Sequence, residues 1–221
     1  MFIYASDYSL FTNYGGIMAL IVGLTGGIVS GKTTVSLMFK DLGAKIIDVD
    51  KLGHSVILPH KPAWKKIFKL FGKDILKDDL TINREKLGKI VFANQALLEK
   101  LNKITHPEII KLVKKKINSE RAKTNHQGKI LMIDAALIYE TKINRLMDKI
   151  IVVYIEEDAQ IKRLNKRNNL SKDEALQRVK SQMPMKEKIK MADYVIDNNG
   201  KLGKTKEQVE KIWQNLVSII P

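Results

Sequence analysis

The chain has 221 residues, no cysteine, and a formal net charge of +15 from 39 Lys plus Arg against 24 Asp plus Glu. That length suits one large α/β domain or a domain with substantial insertions. The lack of cysteine excludes a disulfide framework and a thiolate zinc site and makes a reducing cytoplasm the expected setting, while no apolar run approaches the roughly 18 residues of a membrane span. The positive balance is compatible with nucleic acid, an acidic surface or a phosphate-rich substrate. Much of it is Lys spread through helical segments, such as Lys111, Lys114, Lys115 and Lys116, with little aromatic interleaving, so a solvated face is preferred to a base-stacking one.

In chain order, residues 1–17 lack the basic start and continuous apolar stretch of a signal peptide and read as an appendage outside the fold. Met18 stands just before the first strand expected, residues 19–25, an apolar run ending in Thr25. Then comes Gly26-Gly27-Ile28-Val29-Ser30-Gly31-Lys32-Thr33, a full match to G-x-x-x-x-G-K-[ST], followed by a helix expected over residues 32–42. Strand, glycine loop and helix are the context a phosphate-binding loop requires. A triphosphate needs several backbone N–H groups at close range, and residues without a Cβ allow the tight bends, here Gly26 and Gly31. The helix start adds unpaired N–H groups and the positive end of its dipole. Lys32 brings a mobile charge to the β- and γ-phosphates, and Thr33 places a hydroxyl where Mg²⁺ is expected. Val29 is the uncomfortable residue, because a β-branched side chain in a left-handed position carries strain.

Further strands are expected at residues 44–49, 129–133, 149–154 and 194–196. Alternation with helices predicts a three-layer α/β/α fold with a parallel five-stranded sheet. The second and third strands are separated by about eighty residues, far longer than an ordinary crossover, which makes 60–127 an inserted helical subdomain. A second helical, Arg- and Lys-rich segment, 157–192, precedes the last strand. The nucleotide-binding core is then 18–59 with 128–156 and 193–221, closed by an amphipathic helix over 204–219 carrying Val209, Ile212, Trp213 and Leu216. Ligands of open α/β sheets bind beyond the carboxyl ends of the strands, which singles out Asp48, Asp50 and Asp134. In an extended chain Asp48 and Asp50 project to one side. A lone Asp there is more simply a helix cap or turn former; three beside one phosphate loop favour catalysis.

These residues resemble the dephospho-coenzyme A kinase family. The segment Gly23-Leu24-Thr25-Gly26-Gly27-Ile28-Val29-Ser30-Gly31-Lys32-Thr33 resembles the family's G-L-T-G-G-I-G-S-G-K-S, and Ile47-Asp48-Val49-Asp50 its I-D-A-D. Thr105-His106-Pro107 carries its H-P signature, Asp134-Ala135-Ala136-Leu137-Ile138-Tyr139-Glu140 its D-x-P-L-L-x-E, and Ala192-Asp193-Tyr194-Val195-Ile196-Asp197-Asn198 its A-D-x-V-I-D-N; Gln182-Met183-Pro184 fits as well. Val29 replaces the small residue usual there and Ala136 the proline, departures expected to change loop rigidity more than chemistry.

The resemblance implies transfer of the ATP γ-phosphoryl to the ribose 3′-hydroxyl of dephospho-coenzyme A, the last step of coenzyme A synthesis. Asp50 takes the part of the catalytic aspartate that accepts or orients the hydroxyl proton. ATP would be held by Gly26, Gly27, Ile28, Val29, Ser30, Gly31, Lys32, Thr33 and Thr34, with Mg²⁺ at Thr33. Arg167, four residues after Arg163 on one face of the segment resembling the family's lid, matches the arginine placed at ATP. The plainer alternative for Arg163 is the partner of a surface acid. Asn198 is a candidate adenine contact, and Asp134 a candidate for magnesium or the acceptor. Arg84 and His106 belong to the insertion that forms the family's acceptor domain; His106 reads equally as a structural histidine before a helix starting at Pro107.

A nucleoside monophosphate kinase shares the loop, insertion and lid, but Asp50 and the H-P motif favour the first reading. A GTP switch needs N-K-x-D, and both Asn102-Lys103-Ile104-Thr105 and Asn165-Lys166-Arg167-Asn168 lack the final Asp. A nucleic-acid binder remains the reading from another class, with tight, salt-sensitive oligonucleotide binding as its signature. The expected partner is the small-molecule acceptor, with neither nucleic acid nor membrane, and a monomer is favoured.

Overall fold

The computed structural model describes residues 19–123, 129–168 and 170–220. The appendage expected over 1–17, Met18 and the boundary at 127/128 lie outside the described residues.

Five parallel strands form one sheet in the order β2-β3-β1-β4-β5: β1 Leu20–Gly26, β2 Lys45–Asp48, β3 Ile130–Asp134, β4 Lys149–Tyr154 and β5 Tyr194–Asp197. Successive side chains point to opposite faces, and both faces are apolar, as a sheet covered on two sides requires. Val22, Leu24, Ile130, Met132, Ile151 and Val153 pack under α1 (Lys32–Asp41) and α9 (Leu202–Ser218), which contribute Val35, Phe39, Val209, Ile212 and Leu216. On the other face Ile21, Ile47, Leu131, Ile133, Ile150 and Val152 pack with Ile138, Tyr139 and Ile143 and with Val113 and Ile117 of α5 (Gln95–Arg121).

The helical insertion has a core of its own. Trp64 and Ile67 of α3 (Pro62–Phe71), Ile75, Ile82, and Leu87 and Val91 of α4 (Arg84–Phe92) gather against Leu97, Leu98, Leu101 and Ile104 from the first half of α5. Local chemistry sets the helix starts: Pro62 opens α3, and the side chains of Asn83 and Asn94 accept the Lys86 and Leu97 N–H groups at 3.0 and 3.1 Å. The second half of α5 belongs to the layer over the sheet, so this helix of 27 residues ties the insertion to the core.

The segment before β5 folds as α6 (Glu157–Asn168), α7 (Lys172–Lys180) and α8 (Met185–Lys190). Ser171 and Glu174 form a capping box at the start of α7.

Two expectations are corrected here. Strand β2 ends at Asp48, and Val49 opens α2 (Val49–Val56), so Asp48 and Asp50 do not share an extended chain. Asp48 instead caps that helix by accepting the Lys51 N–H at 2.9 Å. Nor does a helix start at Pro107: α5 runs through it. Proline cannot donate to the carbonyl four residues earlier and normally breaks a helix interior. Packing of both halves of α5 into separate cores outweighs that loss.

Candidate active site

Strand register brings the phosphate loop and the acids to one end of the sheet. Leu24 of β1 pairs with Asp134 of β3, and Asp48 of β2 pairs with the same residue. The chain leaves β1 for β2, reaches β3 between them, and then passes to β4 on the other side of β1. This reversal makes the crevice beyond β1 and β3 the expected ligand position.

Residues 27–34 line a cleft of ≈ 730 Å³ at that point, together with Asp50, Ala136, Arg163, Lys166, Arg167 and Gln182. The glycines are required sterically. A Cβ on Gly26 would sit 2.7 Å from the Val153 carbonyl oxygen, and Gly31 is left-handed at φ 88°. Inside the loop the Ser30 N–H donates to the Gly27 carbonyl at 3.1 Å, and the Ile28 N–H donates to the Gln182 side-chain oxygen at 3.0 Å. Val29 has φ 52°, so the strain expected of it is present; such a conformation costs about 1–3 kcal/mol and persists where surrounding contacts hold it.

Lys32, at the first position of α1, is paired with Asp134 and also lies 3.4 Å from Asp50 in α2. Burial opposes its charge, but the two carboxylates outweigh that opposition through charge and hydrogen bonding and hold the ammonium above its ordinary value. Asp134 is buried, whereas the side chain of Asp50 is 55 % exposed and open to the cleft.

Thr33 and Thr34 are exposed on the cleft wall. Arg163 and Arg167, one turn apart on α6, both reach the cleft, as does Lys166 between them. Arg163 donates to the carbonyls of Val29 and Asn198 at 3.5 and 3.4 Å, so it braces the loop and is not merely the partner of a surface acid. Among the described residues no group of three or more His, Cys, Asp or Glu is arranged to hold a metal ion without help. A hydroxyl at Thr33, in the phosphate loop and on the wall of the cleft it shares with Asp50, fits the requirement of Mg²⁺, which takes few protein oxygens and completes its shell with phosphate and water.

Of the anticipated residues, Gly26, Asp134, Asn198, Arg84 and His106 do not line the cleft, and the last three point elsewhere. Asn198 lies behind the loop: its amide donates to the Ser30 carbonyl at 2.7 Å and its oxygen accepts from the Thr205 hydroxyl at 2.8 Å. Arg84, at the start of α4, has a guanidinium nitrogen 3.4 Å from Nδ1 of His54. His106 is half-buried in α5; burial lowers its pKa below the ordinary 6.5, opposed by the nearby charge of Glu140.

Several residues had no assigned role in the sequence reading. Gln182 sits in a recognised motif, but its bond to the loop spans 154 positions. His54 lies one helical turn after Asp50 and faces Arg84, a relation visible only once α2 is known to be helical. Lys188 is fully buried, 2.9 Å from Glu140, and donates to the Ala136 carbonyl at 3.1 Å. Glu140 also accepts the Met183 N–H at 2.9 Å, so the loop after β3 and the return from α7 are joined by a buried charge pair.

The family model for dephospho-CoA kinase matches residues 20–204. The dephospho-CoA kinase of Carboxydothermus hydrogenoformans is 48% identical over 194 residues, 88% of this chain and 93% of that protein. The dephospho-CoA kinase of Bacillus cereus is 41% identical over 199 residues, 90% of this chain and 98% of that protein. Among solved structures, dephospho-CoA kinase from Campylobacter jejuni superposes with a TM-score of 0.65 at 29% identity, covering 90% of this chain and 97% of that one. With the loop, the strand-end acids and this likeness along nearly the whole described chain, the protein belongs to the dephospho-CoA kinase family.

Proposed function

We propose that this enzyme transfers the γ-phosphoryl group of ATP to the ribose 3′-hydroxyl of dephospho-coenzyme A, yielding coenzyme A and ADP as the last step of coenzyme A synthesis. The observation that carries this reading is the open carboxylate of Asp50 facing the ammonium of the phosphate-loop lysine, Lys32, at 3.4 Å across the mouth of the cleft.

The loop from Gly26 to Thr34 holds the β- and γ-phosphates by its N–H groups, by the start of α1 and by Lys32. The acceptor hydroxyl approaches from the side of Asp50. Asp50 orients it and takes its proton as the oxygen–phosphorus bond forms and the bond to the β-phosphate oxygen breaks. Arg167, with Arg163 and Lys166 on the same helix, neutralises charge spread over the transferring group. The hydroxyl of Thr33, with Asp134 as a further candidate, would hold magnesium, which would supply charge neutralisation of the β- and γ-phosphates. Residues 60–127 serve as the acceptor domain, with Arg84 and His106 on its acceptor side, and residues 157–192 serve as the lid.

No described helix is long and apolar enough to cross a membrane, and we read the enzyme as a cytoplasmic monomer that needs no nucleic acid. The deciding experiment offers the purified protein Mg-ATP with dephospho-coenzyme A or with nucleoside monophosphates. Consumption of the first with little turnover of the others is expected, and the reverse preference refutes the assignment.

A further inference from the structure

We propose that Val29 is a positioning residue that couples the phosphate loop to the lid, so that the lid's place decides how firmly the loop is held around its anion. The inference rests on the ATP-dependent reading above. Val29 and Ile28 pack their side chains against the apolar centre of the lid, formed by Ile161, Leu164 and Ala175 and flanked by Leu176 and Val179. Among the described residues only three side chains of that centre are buried, and Leu170 also packs on them, so the two aliphatic groups from the loop form a substantial share of its cover.

The backbone points the same way. A β-branched residue at φ 52° sits where glycine would rest without strain. Its conformation aims the branch at the lid, and lid packing offsets the strain. The lid also grips the neighbouring main chain twice, through Arg163 on the Val29 carbonyl and Gln182 on the Ile28 N–H. Arg163 and Arg167 ride on the helix that packs against Val29, so separating lid from loop withdraws both guanidinium groups from the cleft. Contact across these surfaces therefore couples the order of the loop to the placement of the lid.

The experiment compares Val29→Gly, which removes both anchor and strain, with Val29→Ala, which removes most of the anchor and keeps a Cβ in the strained position. Leu176→Ala attacks the same contact from the lid. Each variant is assayed for KM and kcat, and each is digested with trypsin in Mg-ATP without acceptor, following cleavage after Lys172 and Lys180, both exposed on the lid. If the ATP-competent arrangement is less populated, KM for ATP rises by about fivefold or more in all three while kcat stays within about twofold, and lid cleavage in Mg-ATP quickens in parallel. KM and lid cleavage unchanged in both Val29 variants overturn the proposal. A rise in KM without faster lid cleavage overturns it as well, since it confines the effect to the loop. Lid cleavage requires no turnover, so this arm stands apart from the identity of the acceptor.

Discussion

Lys32 and Asp50 approach to 3.4 Å although they belong to different helices: α1 follows β1 across the phosphate loop, and α2 begins directly where β2 ends. Removing the carboxylate while keeping its shape isolates its part in proton transfer. Asp50→Asn should lower kcat by about 10²- to 10⁴-fold, the usual worth of a general base, with KM for ATP little changed. A near-normal kcat in steady-state assays would remove Asp50 from the mechanism.

Lys32→Met should nearly abolish turnover, because a fixed charge on the transferring group is worth roughly 10²- to 10³-fold or more. It should also destabilise the fold, since Asp134 is buried and loses its partner. Breaking a buried pair costs about 3–5 kcal/mol, and the slight exposure of both groups puts this pair toward the low end. Adding Asp134→Asn should restore much of the thermal midpoint without restoring turnover; calorimetry and the coupled assay separate the two effects.

Helices α7 and α4 touch where the Arg178 guanidinium lies 5.4 Å from the centre of the Phe92 ring. A cation–π contact at an exposed site is worth about 0.5–1 kcal/mol. Arg178→Ala and Phe92→Ala should therefore each raise KM for dephospho-coenzyme A by about two- to fivefold, and the double variant no further. Additive effects in the double variant would show that the pair does not act as a unit.

His106 ties stability to pH. Burial holds the folded imidazole below the 6.5 of a free histidine, so as pH falls through about 6.5 the unfolded chain takes up a proton before the folded one does. Stability at that position is present above this range and lost below it. His106→Gln should flatten the wild-type decline in thermal midpoint between about pH 7 and pH 5. Parallel curves for the two proteins would exclude His106 as a contributor.

Much of this was legible locally. The loop, α1 and the five strands follow from glycine spacing and apolar runs, and no strand boundary differs by more than a single residue from the one expected. Asp48 was less legible: an acid ending a strand can cap the next helix or enter a site, and only the start of α2 at Val49 makes it a cap. Pro107 misled because its local cost is overruled by two cores that the helix spans. Asn198 sits in a recognised motif, yet its bond to Ser30 crosses 168 positions.

The sequence by itself determined the phosphate loop, since a tight bend around an anion demands missing Cβ atoms, a lysine and a hydroxyl at fixed short spacing. Only the tertiary structure decided which acids meet Lys32, that Gln182 and Arg163 brace the loop, and that Val29 packs against α6 and α7. Those meetings depend on the strand order β2-β3-β1-β4-β5 and on how the segment of α6, α7 and α8 returns to the sheet. Apolar periodicity specifies which face of each element is buried, and leaves open which distant element it is buried against.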